Sequence, residues 1–329
     1  MAKPKYIVVV GASAGGLNSV IELAAQLDEK VDAAVFIAMH ITQMSTVELL
    51  VQRIQSSTSL VCEMAGDGKK IEKGHVYLAV PDRHLLLKEG SMYLGKGTPE
   101  NRWRPSIDIL FRSAAAAYSA RVIGIILSGL MEDGMAGMLA IKKSGGTLIV
   151  QDPTEAEYPD MPQSVLNNMK VDYAVRLDAM GAIIAEKSKN GKDNYPPAPP
   201  EVIAEAAIAE RVAMNIDALK ELGEKSLYSC PDCGGGLWEI KGEDSVRYRC
   251  HTGHVYTENE LELRQKHALE NTMWIALRMM EERRNLLKKM AEEERSKGWV
   301  RSAENKLERS VDLESHIERL KKILYEVDD

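Results

Sequence analysis

The sequence predicts an α/β fold built on a doubly wound, mostly parallel sheet, with smaller modules after it. Three observations carry this. Runs of β-branched apolar residues alternate with stretches of helical spacing through the first half of the chain. The first run, YIVVV, stops at the glycine-rich turn Gly11-Ala12-Ser13-Ala14-Gly15 and opens directly into a helical pattern. Past a proline-rich segment the pattern changes, first to closely spaced cysteines and then to long charged stretches.

The elements follow in order. Strands are expected at 6–10, 33–39, 76–80, 122–127, 147–151 and 172–176, where apolar runs are bounded by turn residues. Helices are expected at 17–27, 47–56, 107–120, 136–143 and 162–169. Alternation of the two types favours parallel strands covered on both faces. The segments 84–88 and 92–95, joined by Glu89-Gly90-Ser91, read as a hairpin that would leave the sheet mixed at one edge.

Composition bounds the function. At 329 residues the chain is long enough for two folded units. It is 45% hydrophobic, with no apolar run near the roughly 20 residues that span a bilayer. Its start lacks signal-peptide anatomy, so a cytoplasmic protein without membrane insertion is expected. A net charge of -7 and a pI near 5.7 argue against nucleic acid as the main ligand. Cys62 stands apart and reads as a small buried apolar residue; the other cysteines cluster, which suggests a metal rather than disulfides.

The turn at 11–15 fits three chemistries. A dinucleotide-binding turn would want glycine where Ser13 stands and an acid closing the second strand, where the chain has His40. Ser13 as a helix cap is the second. The third is a nucleophile elbow, which needs a base and an orienting acid from elsewhere. In an open α/β sheet, residues just past strand carboxyl ends converge. Ser13, His40 and Asp133, in SGLMEDGMAG, all lie there, and those residue types make a hydrolytic triad. Structural roles for His40 and a capping role for Asp133 remain open on spacing alone. The order Ser, His, Asp also differs from that of α/β-hydrolases.

With GASAGG at 11–16, His40, VYLAVPDRHLL at 76–86, ENRWRPSIDILFRSAA at 100–115, SGLMEDGMAGM at 128–138 and QDPTEAEYPDMP at 151–162, the first domain resembles the catalytic domain of chemotaxis protein-glutamate methylesterases. The resemblance implies a serine esterase that removes methyl groups from receptor glutamates as methanol, with deamidation of receptor glutamines a further activity of the family. It implies Ser13 as nucleophile, His40 as general base and acid, Asp133 as orienting carboxylate, and the backbone amides of Ala14 and Leu130 as oxyanion donors, with no cofactor for catalysis. A methylated chemoreceptor or related sensory protein is the expected partner. A catalytically inactive scaffold of the same fold is the alternative. Ala14 replaces a threonine and Thr42 a proline found in relatives. The chain starts a few residues before its catalytic strand, so gating by a fused receiver domain is not expected. Arg102 and Arg104 would suit substrate carboxylates or a solvated loop ahead of a helix capped by Ser106.

The expected division is a catalytic domain over 1–187, a linker over 188–200, a helix over 201–227, a zinc-ribbon-like module over 228–257 and a helical hairpin over 258–329. The linker reading rests on SKNGKDNYPPAPP. In the module, Cys230-Pro-Asp-Cys233 and Cys250-His251-Thr252-Gly253-His254 flank a strand pair at 237–240 and 246–249. Cys230, Cys233, Cys250 and His254 are the expected ligands of a structural zinc; His251, adjacent to Cys250, is the weaker choice. In the hairpin, Leu286, Leu287 and Met290 are expected to face Ile317, Leu320 and Leu324. Docking of these helices on a receptor or a second copy of the chain is an added expectation.

Overall fold

The computed structural model describes residues 3–40, 47–189, 195–209, 223–241 and 246–326. Its centre is β1 (Tyr6–Ala12), buried along its whole length as its unbroken apolar run requires. The other strands of its sheet are β2 (Ala33–Met39), β3 (Val61–Met64), β4 (His75–Leu78), β7 (Val122–Ile126), β8 (Thr147–Gln151) and β9 (Tyr173–Val175). They run in the order β3-β4-β2-β1-β7-β8-β9, and every pairing is parallel.

The hairpin therefore does not make the sheet mixed. Its strands, β5 (His84–Lys88) and β6 (Ser91–Gly95), pair with each other as a separate two-stranded unit. Leu85, Leu87 and Met92 turn inward, onto α3 (Ile107–Tyr118) and its core. The hairpin thus covers the sheet's helical layer instead of extending the sheet.

Alternation along β1 divides the core. Ile7 and Val9 pack with α3, α4 (Met135–Lys143) and α5 (Asp160–Asn168). Val8 and Val10 pack on the other face with α1 (Gly16–Ala25), α2 (Val47–Gln55) and α6 (Leu177–Lys189). Two elements of the first domain were not expected from sequence. β3 is a partly exposed edge strand with too few apolar residues to show a run, and α6 carries its apolar residues on one narrow stripe.

Chain continuing from the first domain stays on it. Tyr195 Oη lies 2.9 Å from Tyr6 Oη, Ser119 Oγ donates to the Pro196 carbonyl at 2.7 Å, and Ala198 and Val202 are buried in the α3 side of the core. The described end of the expected linker is thus packed, and α7 (Pro200–Ala209) lies against α3. The expected helix beyond 209, residues 190–194 and Thr42 lie outside the described residues.

The module that follows is a four-stranded antiparallel sheet, β10 (Glu224–Ser229), β11 (Gly236–Lys241), β12 (Val246–Cys250) and β13 (Val255–Thr257), so two strands flank the expected pair. Residues 1–258 form one compact unit and residues 259–329 a second. That second unit is a hairpin of two helices, α8 (Glu258–Ser296) and α9 (Val300–Glu326). Its seam differs from expectation: Met273, Leu277 and Met280 meet Ile317, Leu320 and Leu324, whereas Leu286 and Met290 are exposed. The buried positions Leu277, Leu287 and Ala291 share one helical stripe with Met280, and Leu286 lies one residue off it.

Candidate active site and candidate metal centre

Strand order decides what meets. β1 lies between β2 and β7, where the sheet's winding reverses, so the turns after these three strands open into one crevice. Ser13 follows β1, His40 follows β2, and the loop after β7 carries Asp133. His40 Nδ1 lies 3.1 Å from Ser13 Oγ and its Nε2 lies 2.8 Å from Asp133 Oδ2. A carboxylate accepts only, so His40 Nε2 carries the proton and Nδ1 is left as acceptor for the serine hydroxyl.

Asp133 is buried at the amino end of α3. It accepts from the amides of Ile107 (2.8 Å) and Asp108 (3.2 Å), from Ser106 Oγ (3.1 Å) and from Asn101 Nδ2 (3.1 Å). Burial alone would raise its pKa, but the hydrogen bond and charge of His40, with those donors, hold it below the usual carboxylate range. The Asp133 carboxylate therefore stays charged. Asp108 beside it behaves oppositely: burial, then the Asp133 charge, push its pKa up to about 7. Its Oδ1 accepts from the amides of Gly134 (3.1 Å) and Gly137 (2.6 Å), which ties α3 to α4.

Two glycines let the turns close on Ser13. Gly15 has φ 68, and a Cβ there would fall 2.7 Å from Glu157 Oε2. A Cβ on Gly129 would fall 2.1 Å from Met161 Sδ and 2.8 Å from Ser13 Cβ. Among the described residues, the amides of Ala14 and Leu130 donate to no protein group. Both border Ser13, one through the chain and one through the loop after β7, whose Ser128 carbonyl accepts from Ser13 N at 3.0 Å.

The second cluster lies in the antiparallel module. The ligand atoms of Cys230, Cys233, Cys250 and His254 all lie within 4.8 Å of one another. Cys233 Sγ is 3.8 Å from Cys250 Sγ, and His254 Nδ1 is 3.4 Å from Cys250 Sγ and 3.5 Å from Cys230 Sγ. A tetrahedron with zinc–sulfur bonds of about 2.3 Å has edges of about 3.8 Å, so this donor set fits one zinc-class ion. His251 lies against Gly235 instead.

Residues 8–184 match the family described as CheB methylesterase. The chain belongs to the CheB methylesterase family. It is 33% identical over 184 residues to a putative protein-glutamate methylesterase/protein-glutamine glutaminase of Leptospira interrogans, covering 56% of this chain and 95% of that one. It is 35% identical over 170 residues to a protein-glutamate methylesterase/protein-glutamine glutaminase of Thiobacillus denitrificans, covering 50% of this chain and 47% of the relative. The crystal structure of the CheB methylesterase catalytic domain of Thermotoga maritima superposes with a TM-score of 0.54 at 31% identity, over 55% of this chain and 98% of that one.

Around this CheB-type crevice stand residues that spacing did not single out. The Trp103 ring stacks on His40, with centroids 4.2 Å apart and planes 7° from parallel. Asn101 Nδ2 reaches both Asp133 and Asp108. Both lie in ENRWRP, within the matched stretch, but their contacts depend on a turn that has no strand or helix period. Arg104 is committed elsewhere: it pairs with Asp82 and donates to the Gly97 carbonyl at 2.7 Å. Arg102 is exposed, and its Nη1 approaches Met131 Sδ at 3.9 Å. Cys62 is half-buried on β3, and burial pushes its thiol up to about 11, which keeps it from acting as a thiolate.

Proposed function

We propose that the chain is a protein-glutamate methylesterase working through Ser13, His40 and Asp133. What carries the reading is the unbroken chain of contacts from hydroxyl to imidazole to buried carboxylate, 3.1 and 2.8 Å long. His40 Nδ1 takes the Ser13 proton as Oγ attacks the ester carbonyl, and Asp133 stabilises the imidazolium that forms. The amides of Ala14 and Leu130 receive the oxyanion, the first of them at the start of α1, where the helix dipole adds to the stabilisation. His40 returns its proton to the departing methoxide, which leaves as methanol. Water, activated by the same imidazole, then hydrolyses the acyl-serine and frees the glutamate.

The substrate class follows from the family: glutamyl methyl esters of a chemoreceptor or related sensory protein, with glutamine deamidation as a second reaction of the same triad. Catalysis at a serine draws on no cofactor. Cys230, Cys233, Cys250 and His254 would hold a zinc-class ion with all four positions taken by protein, so the ion would be structural and would not touch substrate. No helix among the described residues is long and apolar enough to cross a membrane, and the proposed place of action is the cytoplasm. The test is methanol release from a methyl-labelled receptor. Wild-type chain should release it, and Ser13→Ala should lose at least about 10³-fold in kcat. Equal release by the two would overturn the mechanism.

A further inference from the structure

One four-residue turn links the two clusters. Glu100 and Trp103 close it with reciprocal backbone hydrogen bonds of 3.2 and 2.9 Å. The residues at its tip, Asn101 (φ 49) and Arg102 (φ 73), are both left-handed, a conformation non-glycine residues hold only when surroundings impose it. On one side the turn serves the triad, with Trp103 flat on His40 and Asn101 donating to Asp133. On the other side Glu100, 1% exposed, accepts from the fully buried Arg112.

That second side is where the cysteine module sits. Arg249, buried and directly preceding Cys250, lies within electrostatic reach of Glu100, Arg112 and Glu205. Arg247 Nη2 donates to Glu205 of α7 at 2.8 Å. Gly253, directly preceding His254, is so close to Thr98 that a Cβ there would fall 2.8 Å from Thr98 Oγ1. The knuckle that supplies two of the four ligands is therefore the part of the module that meets residues 98–100. Burial of three arginines against two carboxylates is costly unless each group keeps its place, and Arg112, Arg247 and Arg249 each have a buried nitrogen without a hydrogen-bond partner among the described residues.

We infer that the Cys230/Cys233/Cys250/His254 site is an allosteric metal site: a bound zinc-class ion holds the Cys250–His254 knuckle against residues 98–100 and so keeps the Glu100–Trp103 turn on His40 and Asp133. Ion occupancy then sets how well the triad is aligned, and Trp103 and Asn101 are positioning residues. The effect on turnover rests on the esterase reading above; the effect on the turn does not.

Amide hydrogen exchange of the full chain, zinc-loaded and then stripped with a chelator, tests it. Stripping should speed exchange of the amides of 97–104 by tenfold or more, leave β1, β2 and β7 protected, and be reversed by added zinc. In the same samples kcat for methanol release should fall about tenfold with KM little changed. Failure to bind one ion per chain, or loss of protection in β10–β13 with 97–104 unchanged, would overturn the inference. Should stripping unprotect the whole domain, Arg249→Met decides, since it keeps all four ligands. It should retain one ion per chain and show the faster exchange at 97–104; wild-type exchange there would overturn the inference. Faster exchange without methanol release from any sample leaves the clamp standing and removes the esterase reading. Methanol release indifferent to zinc, with exchange at 97–104 also unchanged, does the reverse.

Discussion

The two ring nitrogens of His40 face different partners. Asp133 holds Nε2–H, so Nδ1 is the lone pair offered to Ser13. Asp133→Asn would present a donor to a ring nitrogen that must itself donate, favouring the wrong tautomer. A loss on the order of 10⁴-fold in kcat is expected in steady-state methanol release, with substrate binding retained. Asp108 gives a pH signature. Its pKa is about 7 in the fold against 3.8 for the free group, so the native state binds the proton more tightly. Its stabilising contribution is complete below about pH 4 and declines as pH rises towards 7. Asp108→Asn should remove that decline, which is at most about 1.4 kcal/mol per pH unit, in urea unfolding from pH 4 to 7. Asp133 acts with opposite sign: its lowered pKa adds stability that is lost as pH falls below the ordinary carboxylate range. Gly129→Ala places a methyl between Ser13 and Met161. Met161 can swing aside but the Ser13 Cβ cannot, so kcat should fall at least about tenfold, with a thermal midpoint lowered by only a few degrees.

Among the elements, the amino end of α3 does most to build the site. Ser106 caps the helix through Ile109 N and also donates to Asp133, while the first amides of α3 point at the same carboxylate. Ser106→Ala should cost about 1 kcal/mol by denaturant titration and lower kcat, and Ser106→Thr should restore both in part. That Ser106 would cap a helix was legible from its place ahead of an apolar periodic stretch. That the cap would also hold the Asp133 carboxylate was not, because Asp133 arrives from the turn after β7, 27 residues later in the chain. Similarly, β1 and β2 announce themselves as apolar runs, whereas β3 is a partly exposed edge whose four residues carry no period.

For the molecule as a whole, the decisive fact is that β1 is flanked by β2 and β7. A strand inserted between β1 and either of these neighbours would carry Ser13 one strand spacing, about 4.8 Å, away from His40 or from the loop that bears Asp133. Residues 1–258 form one compact unit that contains Ser13, His40, Asp133 and the cysteine cluster, and 259–329 form another held by Leu277, Ile317 and Leu324 with ion pairs such as Arg284–Glu314 at 2.8 Å. A chain ending after Glu258 should therefore keep its metal content and hydrolyse a small activated ester within about twofold of full length. Elemental analysis and a spectrophotometric ester assay would check both.

The sequence alone was enough for the parallel α/β class, for a serine, a histidine and an aspartate past three strand ends, and for three cysteines and a histidine at ribbon spacing. Each is a local matter, set by periodicity, turn chemistry or spacing within a few residues. Tertiary structure decided which strands are neighbours, which imidazole nitrogen faces the hydroxyl, which of the two adjacent aspartates beside α3 stays charged, and where Trp103 and the cysteine module come to rest. Those depend on distances between segments far apart in the chain and on how deeply single polar groups are buried, and neither follows from the local spacing of residues.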